Sequence, residues 1–197
     1  MKDKKILLIA GPPATGKNYI SEKIADALGH VVYFDKDDLV DLVNCSFNIS
    51  GKEVNRDSEF YIKNIRPAEY STIIRLAESA LLFTDLALIN APFLGEVRDL
   101  EYMNSLKAQL NNNNIQLFVV WTYATTQVVH ERMLKRNASR DKWKLENWDE
   151  YVKTVDYSPP FDLNKKVLNN KLFVIDTSTE ETRNRDLNAL IAAIKTK

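Results

Sequence analysis

The chain has 197 residues, 45% of them apolar and 27% charged, with Lys plus Arg balancing Asp plus Glu at 27 each. That balance argues against a whole-surface nucleic-acid coat or a polybasic membrane face, and the apolar share excludes a disordered chain. One cysteine, Cys45, excludes an internal disulfide, and with His30 and His130 as the histidines a His/Cys metal centre is all but excluded.

The predicted elements alternate. Residues 6–10 form an apolar run that stops at Gly11-Pro12-Pro13 with no cleavage signature. The run is read as a buried strand and not as a leader. No apolar stretch approaches the roughly 18 residues of a membrane helix, and a lone thiol fits a reducing compartment, so a cytoplasmic protein without membrane partners is expected. Ile20, Ile24 and Leu28 then recur at helical spacing. Residues 31–34 read as a second strand, residues 44–51 as a loop, and residues 58–65 as a short helix, with Pro67 suited to the first turn of the next helix. Ile73, Ile74, Ala77 and Leu81 give that helix its stripe. Residues 86–89 form a third strand, followed by a helix marked by Leu100, Met103, Leu106 and Leu110. Residues 115–121 form a fourth strand, 126–136 a helix with room to run further, 171–175 a fifth strand, and Leu187, Leu190, Ile191 and Ile194 the last helix. Strands alternating with helices predict one α/β domain, a three-layer sandwich with a mainly parallel sheet.

Gly11-Pro12-Pro13-Ala14-Thr15-Gly16-Lys17-Asn18 matches G-x-x-x-x-G-K, with Asn where Ser or Thr is usual. Glycines let the backbone turn tightly and bring its N–H groups to phosphate oxygens, the helix that follows aims its positive end at the same anion, and Lys17 adds a full charge. The motif lies between an apolar strand and an amphipathic helix, where such a loop belongs. The Asn18 carboxamide can ligate magnesium directly, act through a water, or merely satisfy the first helical turn.

Asp35, Asp37, Asp38 and Asp41 cluster after the second strand. In a doubly wound sheet they share a rim with the phosphate loop. Reach favours Asp37 as the group that orients an acceptor hydroxyl, with Asp35 as its understudy, while one of the acids is expected to cap the next helix. Arg132, Arg136 and Arg140 recur at spacing four, on one face if the helix persists, with Lys135, Lys142 and Lys144 nearby. The plain reading is a solvated mixed-charge face. The sharper one, favoured here, is a closing lid in which Arg136 and Arg140 neutralise a transferring phosphoryl group, while Arg132 contacts the adenine or the adjacent loop.

With these stations in place, the chain resembles the P-loop kinase superfamily, most closely the branch of zeta-toxin-like and polynucleotide-kinase-like ATP-dependent phosphotransferases. The likeness rests on residues 11–18, Lys36-Asp37-Asp38 and residues 131–141, and more weakly on residues 88–93 with Arg98 downstream. The resemblance implies a five-stranded parallel sheet in the order 2-3-1-4-5, acceptor-side helices over about residues 39–83, and a helical lid over about residues 126–150. It implies ATP and Mg2+ as cofactors, Gly11, Pro13, Ala14, Thr15, Gly16, Lys17 and Asn18 around the nucleotide phosphates, and Arg132 and Thr177 near the adenine. Asn18 is then the metal position, and Lys17, Asp37, Arg136 and Arg140 are the catalytic set. Asp35, Arg56, Arg66 and Arg98 are candidates for the acceptor side, although Arg56 and Arg66 fit solvated helix positions equally well.

Three departures from that pattern stand out. Asn18 replaces a hydroxyl, Asn90 stands where many relatives place an acid after strand three, and Val40 stands where some carry an arginine. The expected function is therefore an ATP-dependent kinase of a small-molecule hydroxyl. Two other readings stay open. One is an ATP-binding regulator with little transfer, motivated by the two amides. The other is a nucleic-acid 5′-end kinase, which the neutral charge disfavours but a short end-binding pocket allows.

Overall fold

A computed structural model describes residues 3–195. The sheet has five parallel strands: β1 (Lys4–Ala10), β2 (Val32–Asp35), β3 (Leu86–Asn90), β4 (Ile115–Tyr123) and β5 (Leu172–Asp176). Their spatial order is β2-β3-β1-β4-β5, as the resemblance implies.

Both faces of the sheet are covered, which is why β1 reads as a continuous apolar run. Ile6, Leu8 and Ala10 point into one core, with Ile73, Ile74 and Ala77 of α3 (Arg66–Ala80) and Met103, Leu106 and Leu110 of α4 (Leu100–Asn112). Leu7 and Ile9 point into the other, with Ile20 and Ile24 of α1 (Lys17–Leu28) and Leu187, Leu190 and Ile194 of α9 (Glu180–Lys195). Every β1 residue from Ile6 to Ala10 is fully buried, so the strand that feeds the glycine-rich turn is anchored from both sides.

Three local expectations need correction. Residues 44–51 are not a loop: α2 spans Val40–Ile49 and buries Val43 and Phe47, four residues apart, against Tyr61 and Ile65. Two apolar anchors among Asn and Ser residues leave too weak a stripe to see in the sequence, and tertiary packing supplies what local propensity lacks. Second, the short helix expected over residues 58–65 does not stand alone but runs into α3, in whose first turn Pro67 sits as expected. The helical run is continuous from residue 59 to 80, with a π-type turn at Tyr61–Ile65 in which the Arg66 N–H bonds to the Tyr61 carbonyl. The wider turn lets the run accommodate a residue without an N–H. Third, the basic helix does not persist. α5 (Thr126–Arg136) starts on a Thr125 cap and stops at Asn137, which is left-handed at φ 47°, so Arg140 cannot share a helical face with Arg132 and Arg136.

After that stop, a 3₁₀ turn at Ser139–Asp141 leads into α6 (Lys142–Glu146) and α7 (Trp148–Thr154). These short helices form a satellite core around Val129, Met133 and Tyr151, with Trp148 packed against it, while Trp143 stays exposed. A single turn, α8 (Phe161–Leu163), brings the chain back under the first core.

Candidate functional site

The glycine-rich turn, residues 11–16, joins β1 to α1 at the carboxyl edge of the sheet. Its conformation explains its composition. Gly11 has φ +141°, and a Cβ there would lie 2.5 Å from both the carbonyl oxygen and the hydroxyl of Thr122. Gly16 caps α1 at φ +92°, and Ala14 is also left-handed at φ +61°. The Thr15 hydroxyl, fully buried, lies 2.7 Å from that of Thr122 and donates to the Pro12 carbonyl at 2.8 Å. Lys17 folds back over the turn, and its Nζ donates to the carbonyls of Gly11 and Pro12 at 2.9 Å each. Burial, reinforced by Arg136, lowers its ammonium to about 8, even though Asp37 and Asp35 pull the other way.

Arg132 and Thr177 meet across the opposite side of the turn. Arg132 donates through Nη1 to the Ala14 carbonyl at 3.2 Å and to the Thr177 hydroxyl at 2.9 Å, and through Nη2 to the Thr177 carbonyl at 2.6 Å. The Thr177 hydroxyl also reaches the Thr15 carbonyl at 2.8 Å. These contacts brace the turn against the end of β5. Burial lowers the Arg132 guanidinium from its ordinary value, with Arg183 adding to the effect.

Asp35 and Asp37 take different jobs. Asp35 caps the 3₁₀ turn Lys36–Leu39, its Oδ1 accepting the Asp37 N–H at 2.9 Å, so it is the acid that serves as the expected cap. Its Oδ2 accepts from the Tyr33 hydroxyl at 2.8 Å and from Asn90 Nδ2 at 2.8 Å. Asp37 lies in a ring of cations: Lys36 Nζ at 3.1 Å, Arg56 Nη1 at 3.3 Å and Arg140 Nη1 at 3.5 Å. Burial pushes its carboxyl up, but Lys36, Arg56 and Arg140 together outweigh that and hold it below the ordinary carboxylate range.

Behind Asp37 is a buried pair that the sequence did not announce. Lys36 is 6% exposed and Glu69 4%, and they meet at 3.3 Å. The Tyr61 hydroxyl also bonds Glu69, and Arg56 Nη2 lies 3.8 Å from it. Nothing in the local sequence marks Glu69 for burial, since its partner Lys36 lies 33 residues away. Leu39, Leu42, Val43, Ile65 and Thr72 line, with Glu69, an open cleft of about 170 Å³.

Arg136 and Arg140 bond to different carboxylates. Arg136 Nε donates to Asp141 at 2.8 Å, and Asp141 is fully buried, its Oδ1 without a hydrogen bond but 3.9 Å from Lys144 Nζ. Arg140 reaches across to Asp37. The remaining acceptor-side candidates lie in other contacts. Arg66 forms a two-pronged pair with Glu96 at 2.9 Å and 2.9 Å, stacked over Tyr70. Arg98 pairs with Asp156, donates to the Ser158 carbonyl at 2.8 Å, and lies over Trp121. The structure thus gathers Lys17, Asp35, Asp37, Arg56, Arg136 and Arg140 around one mouth, and sets Arg66 and Arg98 in pairs of their own.

Asn18, in the first turn of α1, offers a hard oxygen of the kind magnesium takes. That oxygen accepts from Asn90 Nδ2 at 3.0 Å. Among the described residues, no cluster of three or more His, Cys, Asp or Glu is placed to hold a metal ion.

No protein-family model and no curated protein matches the chain. Solved structures do. A "putative kinase" from Chloroflexus aurantiacus superposes with TM-score 0.63 at 20% identity, over 99% of this chain and 96% of that one. A sugar kinase from Janibacter sp. gives 0.60 at 14% identity over the whole of both chains. A gluconokinase from Sinorhizobium meliloti gives 0.55 at 16% identity over 98% and 93%. At these identities the likeness establishes the fold, an α/β sandwich of the kind P-loop kinases adopt. Among the described residues no helix is long and apolar enough to cross a membrane.

Proposed function

We propose that the protein is an ATP-dependent phosphotransferase acting on the hydroxyl of a small molecule. One observation carries this reading. Lys17 folds back over the glycine-rich turn, while Arg140, from the segment after α5, crosses to pair with Asp37 on the facing rim at 3.5 Å, and the charges of both, with that of Arg136, bear on the Lys17 ammonium. A phosphate-loop lysine, an acidic residue on the facing rim and two arginines are the parts that a charged, loose phosphoryl-transfer transition state requires.

In this reading the main-chain N–H groups of the turn and Lys17 hold the outer phosphates of ATP. The acceptor oxygen forms a bond to the γ-phosphorus as the bond to the β–γ bridging oxygen breaks, and the hydroxyl proton passes to Asp37. The low proton affinity of Asp37 suits a late proton transfer, in which the carboxylate mainly orients the hydroxyl. Arg140 spans the gap between the 3₁₀ turn after α5 and Asp37, so residues 126–150 supply the closing side and residues 39–83 the acceptor side. The sugar-kinase and gluconokinase neighbours agree with a small polyol or sugar-like acceptor. The amides at Asn18 and Asn90 favour a second reading, a nucleotide-binding regulator with little transfer.

ADP release across a panel of alcohols, sugars, sugar acids, nucleosides and oligonucleotide ends separates the two. Asp37→Asn is expected to lower turnover by about a hundredfold or more while leaving ATP binding intact. Undiminished turnover in that variant moves the orienting role to Asp35 or Asp38, and absence of turnover with every acceptor favours the regulator.

A further inference from the structure

Asn90 ends β3, between the strand that feeds the phosphate turn and the strand that delivers Asp35. It is in register with Ile9 on one side and Asp35 on the other. It is 3% exposed. Its Nδ2 lies 3.0 Å from Asn18 Oδ1, 2.9 Å from Tyr33 Oη and 2.8 Å from Asp35 Oδ2. Three oxygens thus surround a group with two hydrogens. On the other side of the amide, Asn90 Oδ1 is buried without a partner.

Chemistry fixes which way this amide faces. An ionised carboxylate only accepts, and Asp35 Oδ2 already takes the Tyr33 hydroxyl, so the group turned toward it has to donate. Turning the amide over would set its oxygen against three acceptor oxygens and move the N–H₂ group to the side where no partner lies. An orphaned buried acceptor costs about 1–3 kcal/mol. The fold bears that cost to keep nitrogen at the centre of the oxygens.

A carboxylate, a carboxamide and a phenol converging beside a phosphate turn are hard-oxygen ligands of the sort a divalent cation collects. Here a polarised N–H₂ group fills the centre. Magnesium needs its oxygens at about 2.0–2.1 Å with their lone pairs free. The Asn18 oxygen is directed at an N–H, Asp35 Oδ2 already accepts from both Tyr33 and Asn90, and Oδ1 is turned to the Asp37 N–H. Resting on the phosphotransferase reading, we infer that this chain gives the magnesium of MgATP no direct protein ligand. The Asn90 amide stands in for a protein-held cation, and the ion travels with its nucleotide, coordinated by phosphate and water. Charge neutralisation then falls to Lys17, Arg136 and Arg140, and nucleotide affinity depends little on the metal.

The test is calorimetric titration of the full chain with a non-hydrolysable ATP analogue, with and without Mg2+, in wild type, Asn18→Ala and Asn90→Asp. Asn18 is exposed, so its truncation leaves the fold intact. The expected result is that Mg2+ changes wild-type Kd by less than about threefold, that Asn18→Ala keeps that ratio, and that Asn90→Asp raises it to about tenfold or more. Should Asn90→Asp not fold, the wild-type and Asn18→Ala ratios decide. A wild-type ratio of about tenfold or more that falls in Asn18→Ala makes Asn18 a metal ligand and overturns the inference. Binding of no nucleotide under either condition overturns the phosphotransferase reading as well, which distinguishes the two failures.

Discussion

Replacing Lys17 by Met is expected to make the free protein more stable at neutral pH. The ammonium lies over the turn among like charges, and burial first, then Arg136, lowers its pKa from 10.5 to about 8. That depression corresponds to about 3 kcal/mol separating the charged from the neutral form. The side chain keeps some exposure, so solvent screening trims the cost to about 2 kcal/mol. Methionine matches the length without the charge but gives up the two hydrogen bonds to the carbonyls of Gly11 and Pro12. Water at the open turn replaces these in part, which leaves a net gain of about 1 kcal/mol near pH 7.

The pH dependence provides the decisive sign. Because the folded pKa lies below the unfolded one, the unfolded chain binds more protons between the two values, and wild-type stability rises with pH across that window. The penalty is complete below about pH 8 and gone above about pH 10.4. Urea unfolding of both proteins from about pH 7 to pH 10 should therefore show Lys17→Met ahead at the low end and wild type recovering about 2 kcal/mol relative to it. A difference between the two proteins that stays constant with pH, or a variant less stable than wild type throughout, would refute the reasoning.

Gly11→Ala combines a left-handed φ with a Cβ 2.5 Å from the Thr122 backbone, and should cost about 2–5 kcal/mol by denaturant unfolding; a cost below about 1 kcal/mol would show that the turn relaxes freely. Glu69→Gln leaves Lys36 buried without its full counter-charge, so a loss of about 2–4 kcal/mol is expected, and an unchanged urea midpoint would remove the pair from the account of how Asp37 is held. Asp141→Asn weakens the buried pair with Arg136 and should lower stability by about 1–3 kcal/mol; unchanged thermal unfolding would mean that Arg136 is free without its help.

The sheet and the turn were legible because their signals are contiguous. A five-residue apolar run, a glycine pair at fixed spacing and a lysine all fall within residues 6–17, and alternate faces of β1 need no distant information. The helix stripes at 73–81 and 187–194 were visible for the same reason, since periodicity is a local property. Helix α2 was not, because Val43 and Phe47 acquire their role only from Tyr61 and Ile65. The termination of α5 at Asn137 was also hidden. A left-handed Asn is a common stop, but nothing upstream requires one there, and extending the arginine spacing through it wrongly aligned Arg140 with Arg136. Among the candidate site residues, identity was readable and pairing was not. Glu96 lies 30 residues from Arg66, and Asp156 lies 58 from Arg98, so whether an arginine faces a ligand or a carboxylate is decided by topology that the local sequence does not contain.

What unites the mouth of the site is an imbalance of charge. Burial depresses Lys17, Arg132 and Lys144 alike, which means that each cation is held where the protein solvates it poorly. A fold does not gain from such placements by itself. A polyphosphate that entered would reverse the sign of the effect, turning mutual repulsion among Lys17, Arg136 and Arg140 into shared attraction for one anion. Arg136 and Arg140 are not equally ready for that exchange. Arg136 is committed to a fully buried carboxylate with short contacts, whereas Arg140 holds an exposed side of Asp37 at 3.5 Å. Recruiting Arg136 would leave the buried Asp141 with Lys144 at 3.9 Å, while recruiting Arg140 would free Oδ2 of Asp37 and leave Lys36 and Arg56 on its Oδ1. In the proposed reaction the contact between Arg140 and Asp37 would couple the two halves: a nucleotide phosphate that drew the arginine away would uncover Oδ2 of Asp37 as the acceptor's partner.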